Sequence, residues 1–130
     1  MKALVAGAAL ALVALAGQAQ AQMTPDDFAI RTTADLVKLC DTPDTDALHT
    51  AAVQFCLGYG SGVYQTWQLH QSATRAKPLY CVPGNPPSRA EAMQKFIGWA
   101  KASPTAGTLA PAAGVLQYLM ETYPCPTGRR

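Results

Sequence analysis

Four cysteines, Cys40, Cys56, Cys81 and Cys125, stand downstream of a leader built for export, and that combination limits the fold more than any other feature of the chain. Lys2 precedes an apolar run from Ala3 to Ala16, and Gly17-Gln18-Ala19-Gln20-Ala21 then places small residues where a signal peptidase cuts. The run is too short and too rich in alanine to hold a bilayer, and nothing later is apolar enough to stop transfer. Residues 1–21 are read as a signal peptide that is removed, and 22–130 as one domain with no membrane anchor. A lipid anchor would need a cysteine after the cut, where Gln22-Met23 stand instead. In the periplasm or outside the cell, an even set of thiols reads as two disulfides. Zinc is disfavoured: there is no C-x-x-C, and neither His49 nor His70 lies at ligand spacing from a cysteine.

Cleavage after Ala21 leaves 109 of the 130 residues, enough for a single core that buries roughly two thirds of the unfolded surface. It also removes Lys2, so nine Lys and Arg face eight Asp and Glu. The near-neutral balance, with Arg31, Lys38, Arg75, Lys95 and Lys101 scattered singly, offers no nucleic-acid surface. Arg129-Arg130 reads as a solubilising, frayed end.

The rest of the chain is a succession of helix signals. Thr24-Pro25-Asp26-Asp27 supplies a cap, a proline at the first helical position and two carboxylates at the positive end of the helix dipole. Thr33-Ala34-Asp35 opens a second helix, with Leu36, Val37 and Cys40 on one side, which stops at Asp41-Thr42-Pro43-Asp44. From Asp46 to about Ala73 runs the longest element, with Leu48, Ala52, Phe55, Tyr59, Val63 and Trp67 at helical period. Ser88-Arg89-Ala90-Glu91 is a capping box for a third main helix through Met93, Phe96, Ile97 and Ala100, closed by Ser103-Pro104. Thr108 is expected to cap a fourth, with Leu109, Ala113, Leu116, Met120 and Tyr123 as its apolar stripe and Pro124 as its stop. No stretch alternates apolar and polar residues as a half-buried strand would, so the expected class is all-α, with about four main helices.

Two segments break the pattern. Gly58, Gly60 and Gly62 fall inside the long helix, each at a cost of up to about 1 kcal/mol relative to alanine. Close approach of a neighbouring helix over Gly58 and Gly62, one turn apart and flanking Tyr59, would account for them. A phosphate loop would not, since no strand precedes the glycines and no lysine follows at the required spacing. The second segment, from Pro78 to Pro87, holds four prolines and can be neither helix nor ladder strand.

Helices joined by short connections pack antiparallel, which brings Cys81, before the third main helix, near Cys125, after the fourth. Cys40 and Cys56 then pair by elimination. The loop-entropy model assigns the two bridges about 3 and about 4 kcal/mol, a large share of so small a domain's stability.

A catalytic set is hard to assemble. His49 at a helix start and His70 far along the long helix read as surface residues. Glu91 and Glu121, the acids beyond Asp46, read as helix-surface groups, and Met93, Trp99 and Met120 as core packing and not a cofactor box. With the thiols committed to bridges, a non-enzymatic binder without cofactor is expected.

Ala34-Asp35-Leu36-Val37-Lys38-Leu39-Cys40, Cys56-Leu57-Gly58-Tyr59-Gly60-Ser61-Gly62, Tyr80-Cys81-Val82-Pro83 and Tyr123-Pro124-Cys125 follow one another in an order and spacing that resembles the Rap/Tai immunity proteins of type VI secretion. The resemblance runs from about Thr33 to Cys125. It implies a small α-helical periplasmic protein that often dimerises and blocks a peptidoglycan amidase effector. It carries over the four cysteines, Tyr59, Gly62 and Pro83 as structural residues and leaves the contact surface open. Val82, Pro83, Gly84, Asn85, Pro86 and Pro87 form either a stiff projection offered to that partner or a connector that brings Cys81 to its bridge. The competing reading is an acid-activated periplasmic chaperone, which the crowding of acids into the first quarter of the domain disfavours.

Overall fold

The computed structural model describes residues 21–127, so the signal-peptide reading of 1–21 lies, Ala21 apart, outside the described residues, as does Arg129-Arg130. Four α-helices follow a 3-10 turn at Pro25–Phe28: α1 (Thr33–Cys40), α2 (His49–Thr74), α3 (Arg89–Ala102) and α4 (Pro111–Thr122), with a second 3-10 turn at Ala106–Thr108. No strand occurs among the described residues.

Local chemistry sets most boundaries. Thr32 caps α1, one residue before the expected position: its hydroxyl accepts from the Asp35 amide, and the Asp35 carboxylate accepts from the Arg31 and Thr32 amides. Ser88 and Glu91 make the same reciprocal pair at α3. At α4 the expectation fails. Thr108 belongs to the 3-10 turn, and α4 begins at Pro111, where a missing amide hydrogen costs nothing.

The short α1 is the hub, touching α2, α3, α4 and the second 3-10 turn, and Leu36 and Leu39 are sealed from solvent. Around it Cys56, Phe96, Ile97, Val115, Tyr118 and Leu119 form the main core. Met23, Leu39 and Ala52 form a smaller one under Phe28 and Phe55. The buried face of α4 is Gly114, Val115, Tyr118 and Leu119, one residue round from the predicted stripe. Ala113 is exposed, and Met120 points out to solvent instead of packing.

Both disulfides join the predicted partners. Cys40 and Cys56 have Cα atoms 5.2 Å apart, and Cys81 and Cys125 4.8 Å apart, so no cysteine is free.

The glycines invert the expectation. A Cβ built on Gly58, Gly60 or Gly62 would meet nothing within 4 Å, so no helix among the described residues closes over α2 there. Tyr59 does pack, half-buried, with its ring stacked 6.2 Å from that of Phe55. The tight contact lies elsewhere. A methyl group on Gly114 would stand 2.7 Å from Thr33 Cγ2 and closer still to its hydroxyl, so α4 and α1 touch through a residue that must lack a side chain. Thr33 is sealed in that seam, where its amide donates to Leu109 O at 2.8 Å and its hydroxyl to the same oxygen at 3.1 Å.

Candidate functional site

The titratable groups that catalysis would need are already engaged in structure or lie apart. His49 Nδ1 lies 2.7 Å from Thr42 O at the start of α2, and His70 is exposed beside Trp67. Glu121 accepts from Trp99 Nε1 at 2.6 Å and from Gln117 Nε2 at 2.8 Å, which holds its carboxyl below the usual range. Glu91 is held low by the Ser88 amide and hydroxyl, and Asp35 by the Arg31 and Thr32 amides. Asp46 is held low by the amides of Met23 and Leu48. No group of three or more His, Cys, Asp or Glu able to hold a metal occurs among the described residues.

What the fold does build is a groove. One wall is the side of α2 that carries Leu57, Gly60, Ser61 and Tyr64, three and four residues apart as one helical face requires. The other combines Val82, Pro86 and Pro87 of the connecting segment with Arg89, Ala92, Met93 and Phe96 of α3. Val115, Tyr118 and Leu119 of α4, with Tyr123, make the floor. The space is about 320 Å³ and mostly apolar, at the small end of ligand-sized pockets. Phe96 and Tyr118 meet edge to face with centroids 5.6 Å apart, so the groove opens onto an aromatic core. The Tyr118 hydroxyl donates to Ala92 O at 3.4 Å, and burial raises its pKa, so the phenol stays neutral.

The proline segment is held from both sides. The Cys81–Cys125 bridge anchors its start, where the Cys81 amide also donates to Tyr123 O at 2.8 Å, and the Ser88 cap anchors its end. Of the six residues singled out there, Val82, Pro86 and Pro87 line the groove, while Pro83, Gly84 and Asn85 are exposed away from it. Gly58 and Gly62 are exposed on the far side of α2, and it is Gly60, between them, that faces the groove. Reading the sequence missed Leu57, Ser61, Tyr64 and Arg89. For the three on α2 the signal, a spacing of three and four residues offset from the main apolar stripe, was present but had no visible counterpart.

A second hollow, lined by Asp26, Asp27, Arg31, Asp35 and Lys38, is polar, and three of its charged groups are already engaged, Asp27 and Lys38 in an ion pair and Asp35 in the α1 cap. No helix among the described residues is long and apolar enough to cross a membrane.

Comparison with curated proteins and with solved structures returned no match. A family model does match, over residues 32–125, which takes in α1 to α4, both bridges and every residue of the groove. By that match, which agrees with the motifs around the four cysteines, the chain belongs to the Rap1a immunity proteins.

Proposed function

We propose that this chain is exported to the periplasm, where it binds a peptidoglycan amidase delivered by type VI secretion and blocks it stoichiometrically, without turnover. The observation that carries the reading is the family match over 32–125, since immunity proteins act by binding a cognate effector. Two things support it. Both disulfides suit an oxidising compartment. The carboxylates that catalysis would recruit are instead occupied as helix caps and surface hydrogen bonds.

The protein is further proposed to act as a homodimer, whose natural contact is the outward side of α2 around Gly58, Gly62 and the 71 % exposed Leu69. Light scattering on the wild type and on Gly62→Leu tests this. A monomeric wild type removes it.

A peptidoglycan amidase sought among the genes next to this one, when directed to the periplasm of a bacterial host, should lyse the cells. Co-expression of the full chain should rescue them, and the chain without residues 1–21 should not. Lysis that continues despite soluble, oxidised protein would overturn the proposal. Rescue by the leaderless chain would overturn the location alone.

A further inference from the structure

We propose that the groove between α2 and α3 seats one bulky apolar side chain of the effector, and that Arg89 at its rim holds a carboxylate next to that side chain in the effector's sequence. The inference deepens the immunity reading and rests on it, because it names the surface that the effector meets and the chemistry that fits there.

Three observations converge. The first is Gly60. It sits in mid-helix at a cost of up to about 1 kcal/mol, and nothing within 4 Å requires it to lack a side chain. Any side chain there would project into the groove, so glycine at this position keeps the space open.

The second is charge. Arg89 is the one charged residue of the lining, and no carboxylate of the described residues lies along the groove or pairs with it. As the first residue of α3 it places a cation at the positive end of the helix dipole, where a carboxylate would be favoured for stability. Glu91, two residues on, points its carboxylate back to the Ser88 amide and is not part of the lining. Arg89 is therefore an unpaired cation at the edge of an apolar slot, the complement of an apolar residue with an acidic neighbour.

The third is rigidity. Pro86 and Pro87 have little backbone freedom left to lose, and the opposite end of that wall is closed by the Cys81–Cys125 bridge, so docking there costs little ordering. A protein segment suits this better than a free small acid. The groove is open along one side, and Ser61 and Gln65 along the α2 wall offer hydrogen-bonding groups to a passing backbone.

The test is calorimetry with the amidase effector that the rescue experiment identifies, on oxidised protein freed of residues 1–21 by export. Gly60→Leu should fill the groove and weaken binding at least 100-fold with a melting temperature no lower than that of the wild type. Arg89→Glu should weaken it about 10-fold, with the loss shrinking at high salt, while Lys95→Glu, a charge reversal on α3 away from the groove, should leave affinity as it was. Arg89 is exposed, so its variant keeps the test decisive should Gly60→Leu fail to fold. Tight wild-type binding that neither variant alters would overturn the groove and leave the immunity reading standing. Failure of the wild type to bind would overturn both. Micromolar binding of dodecanoate that Gly60→Leu abolishes, with amidase affinity untouched, would make the groove a small-acid pocket and overturn the assignment.

Discussion

The seam between α1 and α4 and the seam between α2 and α3 each contain a helical glycine, and the two glycines are there for opposite reasons. At Gly114 the neighbouring Thr33 occupies the place of a side chain, so the helices meet backbone to side chain and the seam is shut. At Gly60 the place is empty and the seam gapes into a cavity of about 320 Å³. The same residue type thus serves packing in one seam and vacancy in the other, and only the atoms opposite tell them apart. The closed seam carries stability. The open one is available for contact.

The largest expected effect comes from unlocking the open seam's wall. Replacing Cys81 and Cys125 together by serine removes a bridge across 44 positions and should lower the unfolding free energy by about 4 kcal/mol, read by urea denaturation. A loss as small as 1 kcal/mol would mean that the proline wall holds without its bridge. In the closed seam, Gly114→Ala should cost about 1–3 kcal/mol, because the added methyl overlaps Thr33. Adding Thr33→Ala should recover part of the loss, and the double-mutant cycle should show coupling. Strict additivity would refute the contact.

Acid should weaken the whole fold, most directly around α1. Asp35 lies in the first turn of α1, with Asp27 and Asp46 to either side in the chain, and each is held below its ordinary value of 3.8 by hydrogen bonds, for Asp27 first to the Lys38 ammonium and for the other two first to backbone amides. A depressed folded-state pKa adds stability that is present above the unfolded value and lost as pH falls through the folded one. The melting temperature should therefore hold from pH 8 to about 5 and fall below about 4, and Asp35→Asn should flatten that fall. The smallest effect is a gain: Gly60→Ala should raise stability by up to about 1 kcal/mol, since the methyl meets no atom. A loss would mean that the open seam closes in solution.

Features that depend on a few adjacent residues were legible in the sequence. The Ser88 box, the Pro25 start and the Pro104 stop all rest on hydrogen bonds or missing amides within one helical turn. The disulfide pairing was legible too, because helix order alone limits which ends can meet. The orientation of α4 was not. Its Ala112-Ala113-Gly114-Val115-Leu116 stretch offers apolar residues on every side, so periodicity marks two stripes about equally, and the fit of Gly114 on Thr33 chooses between them. Nor was the groove, whose walls come from residues 57–65 and 82–96 and face each other only after packing. The proline segment was singled out for its stiffness, yet its most exposed part, Pro83 to Asn85, points away from the cavity that its ends help to line.

The two bridges neither nest nor interleave, which divides the backbone into two covalent rings, 40–56 and 81–125, joined by a single strand of chain. A protease cut inside a ring leaves one molecule on a non-reducing gel, whereas a cut between rings leaves two pieces held only by packing. Arg75, exposed at the left-handed end of α2 with φ of 54°, lies in that joining stretch, and trypsin cutting there would part Leu57, Gly60 and Tyr64 from the wall they face. Lys95 and Lys101, by contrast, sit inside the second ring, where a nick severs the chain without releasing either half.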